Sequence, residues 1–241
     1  MRFPRQFNAL QAAYILGPRC FDSLTIESVS DAVVDFFAQR GGFSYDPTRR
    51  HIAGLLSGHV LLERVLSEVA RSGQPLGRKW NIELVQTIHS EYGRRAYRFR
   101  PIKLSFRPIV EGLVLRIPCN FFIVEDGEVI LQVLQLSRAF DRRLSEHQIR
   151  FVLSSTQHTL AKDDLARATS QLGDLSKKDR KGLREPTWTS LASIGCATRD
   201  ELNSVLTMLK DGYAHAIENR RLPANAYRPP RGWEEDQYRL L

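Results

Sequence analysis

Gly112-Leu-Val-Leu-Arg-Ile-Pro-Cys-Asn120-Phe-Phe-Ile-Val-Glu125-Asp-Gly-Glu128-Val-Ile-Leu-Gln-Val-Leu-Gln135-Leu-Ser-Arg138 is the stretch that decides the fold. Two runs rich in Val, Ile, Leu and Phe flank Glu125-Asp126-Gly127-Glu128, and an Asp-Gly pair between apolar runs is a strong hairpin signal. The spacing predicts strands over 112–125 and 128–138. Their apolar density predicts burial on both faces.

Upstream lies Tyr92-Gly-Arg-Arg-Ala-Tyr-Arg-Phe-Arg100-Pro-Ile-Lys-Leu-Ser-Phe-Arg107. Tyr97, Arg98, Phe99 and Arg100 alternate with the period of a strand, aromatics on one face and arginines on the other. Before it the period is helical. Residues 25–39 carry Val29, Val33, Phe36 and Phe37 and stop at Gly41-Gly42. Residues 50–71 form a stripe through Ile52, Leu55, Leu56, His59, Leu62, Leu66 and Val69, and residues 80–91 form a shorter helix. After the hairpin the pattern predicts a helix over 142–162, a strand over 167–175 and helix again over 187–219. One α/β domain spans 1–241: a helical part over 1–75, a sheet core over 76–180, and a helical part with a tail over 181–241.

Composition sets the outer bounds. The chain has 241 residues, 42% hydrophobic and 26% charged, enough for a sizeable core and too apolar for disorder. No stretch reaches the ~18 apolar residues of a membrane span, and the basic N-terminus lacks a signal-type apolar block. Cys20, Cys119 and Cys196 are far apart, which suits free thiols in a reducing compartment. The expectation is a cytoplasmic globular protein with no membrane partner.

The net charge of +8 is uneven: residues 91–110 alone carry +5. Arg94, Arg95, Arg98, Arg100, Lys103 and Arg107 in this segment, with Lys177, Lys178, Arg180 and Lys181 in a later Gly-containing loop, are candidate phosphate contacts to DNA or RNA. Tyr97 or Phe99 could stack on bases if exposed. The plainer reading of the same charges is a solvated surface.

The order helix, three strands, helix, strand resembles the core of the PD-(D/E)XK nuclease fold, and local details over about residues 50–176 resemble its RecB-like branch. That branch has a Gly, a His metal ligand and a Glu on its first core helix; Gly54, His59 and Glu63 stand similarly here, with a gap of five rather than four before the His. It also places a Gln, then a Tyr four residues later, on the helix after the hairpin; Gln148 supplies the first, while Val152 stands at the second. The resemblance implies an Asp on the second strand and Glu-x-Lys on the third, holding Mg²⁺ and activating water. Here Asn120 stands at the Asp position, and 131–138 contains no carboxylate in any register: Gln135 or Val133 falls at the acidic position. His59, Glu63, Asn120, Gln135 and Gln148 are therefore relic positions, with no catalytic residue and no metal expected. For His59 alone, the commoner role of a histidine on an apolar helical stripe is a packed core residue.

Other chemistries lack their signatures. No two cysteines are within 70 positions of each other, which leaves zinc and iron–sulfur clusters without ligands. No phosphate-binding glycine loop and no nucleophile elbow occur. Three functions remain: a catalytically inactive nuclease-like domain that binds nucleic acid as an accessory or scaffold, a protein-interaction module with no nucleic-acid role, and an atypical metal-dependent nuclease with relocated residues. No cofactor is called for. The tail, through Tyr227, Trp233 and Tyr238, offers aromatic anchors for a protein partner or for its own domain.

Overall fold

The Asp126-Gly127 turn forms as the sequence requires: both residues have positive φ (51° and 83°), the geometry a tight two-residue hairpin demands. It joins β5 (Cys119–Glu125) to β6 (Glu128–Gln135). The structure is a computed structural model that describes residues 5–38, 45–72, 75–93, 95, 97–102, 105–110, 113–136, 143–177, 184–219 and 222.

This hairpin is the centre of a five-stranded mixed sheet. β2 (Arg98–Pro101) pairs antiparallel with β5 at one edge. On the other side β7 (Thr169–Asp174) lies parallel to β6, reached through the crossover helix α6 (Glu146–Leu160), and β8 (Thr187–Ser190) closes the order β2-β5-β6-β7-β8. A class of mixed α/β follows, as the sequence predicts.

The long strands of the sequence pattern divide. The basic stretch becomes β2 and, after a break, β3 (Ser105–Val110); the run from 112 becomes β4 (Leu113–Ile117) and β5. Pro118 separates the latter pair, and a proline has no N–H to continue a ladder. β3 and β4 pair with each other, and β1 (Arg5–Asn8) adds parallel to β4, making a second sheet of order β1-β4-β3.

The stripe over 50–71 also divides, into α3 (Asp46–Leu56) and α4 (Leu62–Arg71). Gly58 takes φ 71°, and Val60 folds back so that its N–H donates to the Gly54 carbonyl at 3.1 Å. A Cβ at Gly54 would lie 2.9 Å from Val60 Cγ2, so a side chain there would oppose the break. The remaining helices are α1 (Ala9–Leu16), α2 (Ile26–Ala38), α5 (Pro75–Gly93), the short α7 (Leu191–Ile194) and α8 (Arg199–Glu218). The helical reading of 187–219 thus gives way to a strand at its start.

Because β6 is central, its two sets of side chains feed two cores. Leu131 and Val133 pack with α1, α2, α6 and α8, through residues such as Leu10, Val29, Phe151 and Leu206. Ile130, with Phe121 and Ile123 of β5, packs against α3, α4 and α5 through Ile52, Val65, Leu84 and Ile88. No helix among the described residues is long and apolar enough to cross a membrane.

Candidate functional site

The alternation in β2 survives in three dimensions. Arg98 and Arg100 are exposed on the edge strand, while Phe99 turns inward, its ring 5.1 Å from that of Phe121. Tyr97 also packs inward and donates its hydroxyl to the Leu56 carbonyl at 3.1 Å. Both aromatics are thus occupied by the core, which removes them as base-stacking platforms. Arg98 and Arg100, two residues apart on one strand face, sit ~6.8 Å from each other along the chain.

The other basic candidates divide. Arg95 is held inside: its Nε donates to Glu125 Oε1 at 2.8 Å, its Nη2 bonds Oε2, and its guanidinium lies 5.1 Å from the Trp188 ring centre. The pair keeps the Glu125 carboxyl below its usual pKa, chiefly through the Arg95 hydrogen bonds. Lys177 is buried, 3.0 Å from Glu83 and 4.6 Å from the Trp80 ring centre, and bridges to Arg184 in the backbone ladder. Both have interior partners because a buried cation must be paired. Arg107 lies on β3 opposite Leu115. Arg94, Lys103, Lys178, Arg180, Lys181 and the tail with Tyr227, Trp233 and Tyr238 lie outside the described residues.

The relic positions do not converge. His59 is exposed in the turn after α3, its Nδ1 2.7 Å from Ser57 Oγ, so it is neither on a helical stripe nor in a core. Glu63 is exposed in the first turn of α4. Gln148 is buried and fully used: its Oε1 accepts from Ser145 N at 2.8 Å, closing the capping box of α6, and its Nε2 donates to the Ala13 carbonyl at 2.7 Å. The spacing Ser145-x-x-Gln148 is a helix-start signature, and that signal accounts for the residue. Gln135 is turned to the α1 side of the sheet, where it bonds Tyr14 Oη. Asn120 lies in β5 where the ladder slips, between Cys119 opposite Val133 and Phe121 opposite Gln132.

The residue of β6 that faces the α3–α5 side beside this slip is Gln132, which sequence reasoning passed over. It is 1% exposed, accepts from Tyr92 Oη at 2.9 Å and donates to Gln171 Oε1 at 2.7 Å. Burial pushes the Tyr92 phenol far above its ordinary pKa, so it stays a donor. Gln132 lines a small cleft of about 70 Å³, open to solvent, between α3 and the sheets. Asn8, Arg49 and Arg116 supply the rest of its polar wall, and Ile52, Phe121 and Leu134 part of its apolar one.

A magnesium site, as the nuclease resemblance implies, needs several hard oxygen donors. None of the described residues lining this cleft carries a carboxylate, and two carry guanidinium groups. Among the described residues no group of three or more His, Cys, Asp or Glu comes together. The described residues do not fit a divalent cation. No protein-family model, curated protein or solved structure matches the chain.

Proposed function

We propose that this chain is a nuclease-like domain without the metal-dependent reaction, binding nucleic acid as an accessory or scaffold protein. The observation that carries the proposal is the exposed pair Arg98 and Arg100 on a sheet edge, anchored from behind by Phe99. A rigid strand presenting two permanently charged guanidinium groups along one line suits a phosphate backbone and needs no base contact. In support, α5, β2, β5, β6, α6 and β7 come in that order along the chain as helix, three antiparallel strands, helix and strand, the order of the PD-(D/E)XK resemblance, although the β3–β4 pair of the second sheet is inserted between β2 and β5. The lack of fit for a divalent cation favours binding over hydrolysis.

The test is a fluorescence titration of the purified protein with short single- and double-stranded DNA and RNA at about 50 and about 200 mM salt. Two phosphate contacts each contribute about −0.9 to the slope of log affinity against log salt on duplex DNA, so at least about a tenfold weakening is expected across that range. Absence of binding at the lower salt contradicts the proposal.

A further inference from the structure

Arg116 is the odd residue of β4. Its neighbours Leu115 and Ile117 are fully buried in the core with α1 and α2, so Arg116 points to the opposite face, into the cleft beside Gln132. Its Nε is buried and has no hydrogen-bond partner. Burial depresses the guanidinium's pKa, and the charge of Arg49 across the cleft depresses it further; Asp46 opposes weakly. The Asp46 carboxylate is itself exposed and bonded to Arg49 Nη1 at 3.1 Å, so it leaves Arg116 largely uncompensated.

Asn8 pairs with Arg116 in the β1–β4 register and caps α1, its side chain accepting from Leu10 N at 2.9 Å. Two guanidinium groups therefore face one space, and none of the described residues lining it carries a carboxylate. The wall completed by Ile52, Phe121 and Leu134 is apolar, which suits an organic group attached to the anion.

We propose that this cleft binds a phosphomonoester, with Arg116 from the sheet and Arg49 from α3 gripping the phosphate and the apolar wall holding the organic part. The site is independent of the β2 edge, and either can fail alone. Arg116 supplies the buried donor, for which a bound oxyanion is the missing partner. Arg49, at the more exposed side, can turn from Asp46 to the ligand.

The full chain would be titrated calorimetrically with inorganic phosphate and, separately, with a nucleoside 5′-monophosphate, and its melting temperature measured in phosphate and in chloride at matched ionic strength. Wild type is expected to bind both, the monophosphate more tightly. Arg116→Gln should weaken binding at least about tenfold, the usual scale for losing a charge-assisted contact. It should leave the melting temperature in chloride unchanged or raised, because a half-buried guanidinium with an unpartnered Nε is removed. A merely structural Arg116 would instead lower it. Identical responses of wild type and Arg116→Gln to phosphate overturn the proposal, as does inorganic phosphate binding as tightly as the monophosphate. Should Arg116→Gln fail to fold, Arg49→Gln decides: an undiminished phosphate response in that variant overturns the proposal equally.

Discussion

Arg95 shows how one side chain can close a sheet. Standing ahead of β2, it reaches Glu125 at the end of β5 and lies beside the paired rings of Tyr92 on α5 and Trp188 on β8. Its loss leaves a half-buried carboxylate unpaired, and Arg95→Ala is expected to lower stability by about 2 kcal/mol in denaturant unfolding at neutral pH. Because the folded pKa of Glu125 is depressed, its contribution is present above the ordinary carboxylate range and is lost as pH falls through the lowered value. Arg95→Ala should therefore lose more stability at pH near neutrality than in acid. The thiols act at the other end of the scale. Burial pushes Cys20 and Cys119 up from the usual 9.0 to about 12, so the unfolded chain ionises them first. Stability should fall as pH rises through that window, by up to about 1.4 kcal/mol per pH unit for each thiol. Cys119→Ala should flatten that fall, as read by unfolding curves at several alkaline pH values. Nothing in the local sequence marked Arg95 as different from Arg98. Its partner is 30 positions away, and only the folded register brings the two together.

At the scale of elements, close approach governs what can be changed. α2 and α8 meet at Gly212, where an added Cβ would lie 2.5 Å from Val29 Cγ1 and 3.1 Å from the Ser30 backbone nitrogen. Gly212→Ala is expected to destabilise by about 1–3 kcal/mol, the range for overpacking, despite alanine's better helix propensity. Thermal unfolding of the single variant checks this, and an unchanged midpoint would mean that the two helices do not pack this tightly. The hairpin and the crossover helix were legible from the sequence because each has a local cause, Asp126-Gly127 for the turn and the apolar pattern for the helix, while the Ser145–Gln148 cap that sets the helix start was hidden behind the reading of Gln148 as a relic position. The division of 50–71 was not, since the apolar stripe continues through both halves and only Gly58, with Val60 folding over Gly54, marks the break. The second sheet was equally hidden. Pro118 is its one sequence signal, and β1 joins it by a pairing more than a hundred residues long in sequence.

At the scale of the whole molecule, the central strand β6 sorts function from structure. Side chains on one face serve the core with α1 and α6, including Gln135; those on the other meet α3–α5 and the cleft, including Gln132. A shift of one residue exchanges these faces, so the choice of Gln135 over Gln132 was a matter of register, which sequence alone does not fix for a strand buried on both sides. The positive charge divides likewise: Arg95 and Lys177 turn inward to carboxylates, while Arg98 and Arg100 remain outside on an edge. Those two arginines are the ground for the proposed nucleic-acid binding. The most direct test is therefore the affinity and salt slope of the double variant Arg98→Glu, Arg100→Glu on short duplex DNA, beside wild type and with folding checked by thermal melting. A fall of at least about tenfold in affinity, with the slope reduced by about 2, is the predicted result. Wild-type affinity and slope in a folded double variant would contradict it.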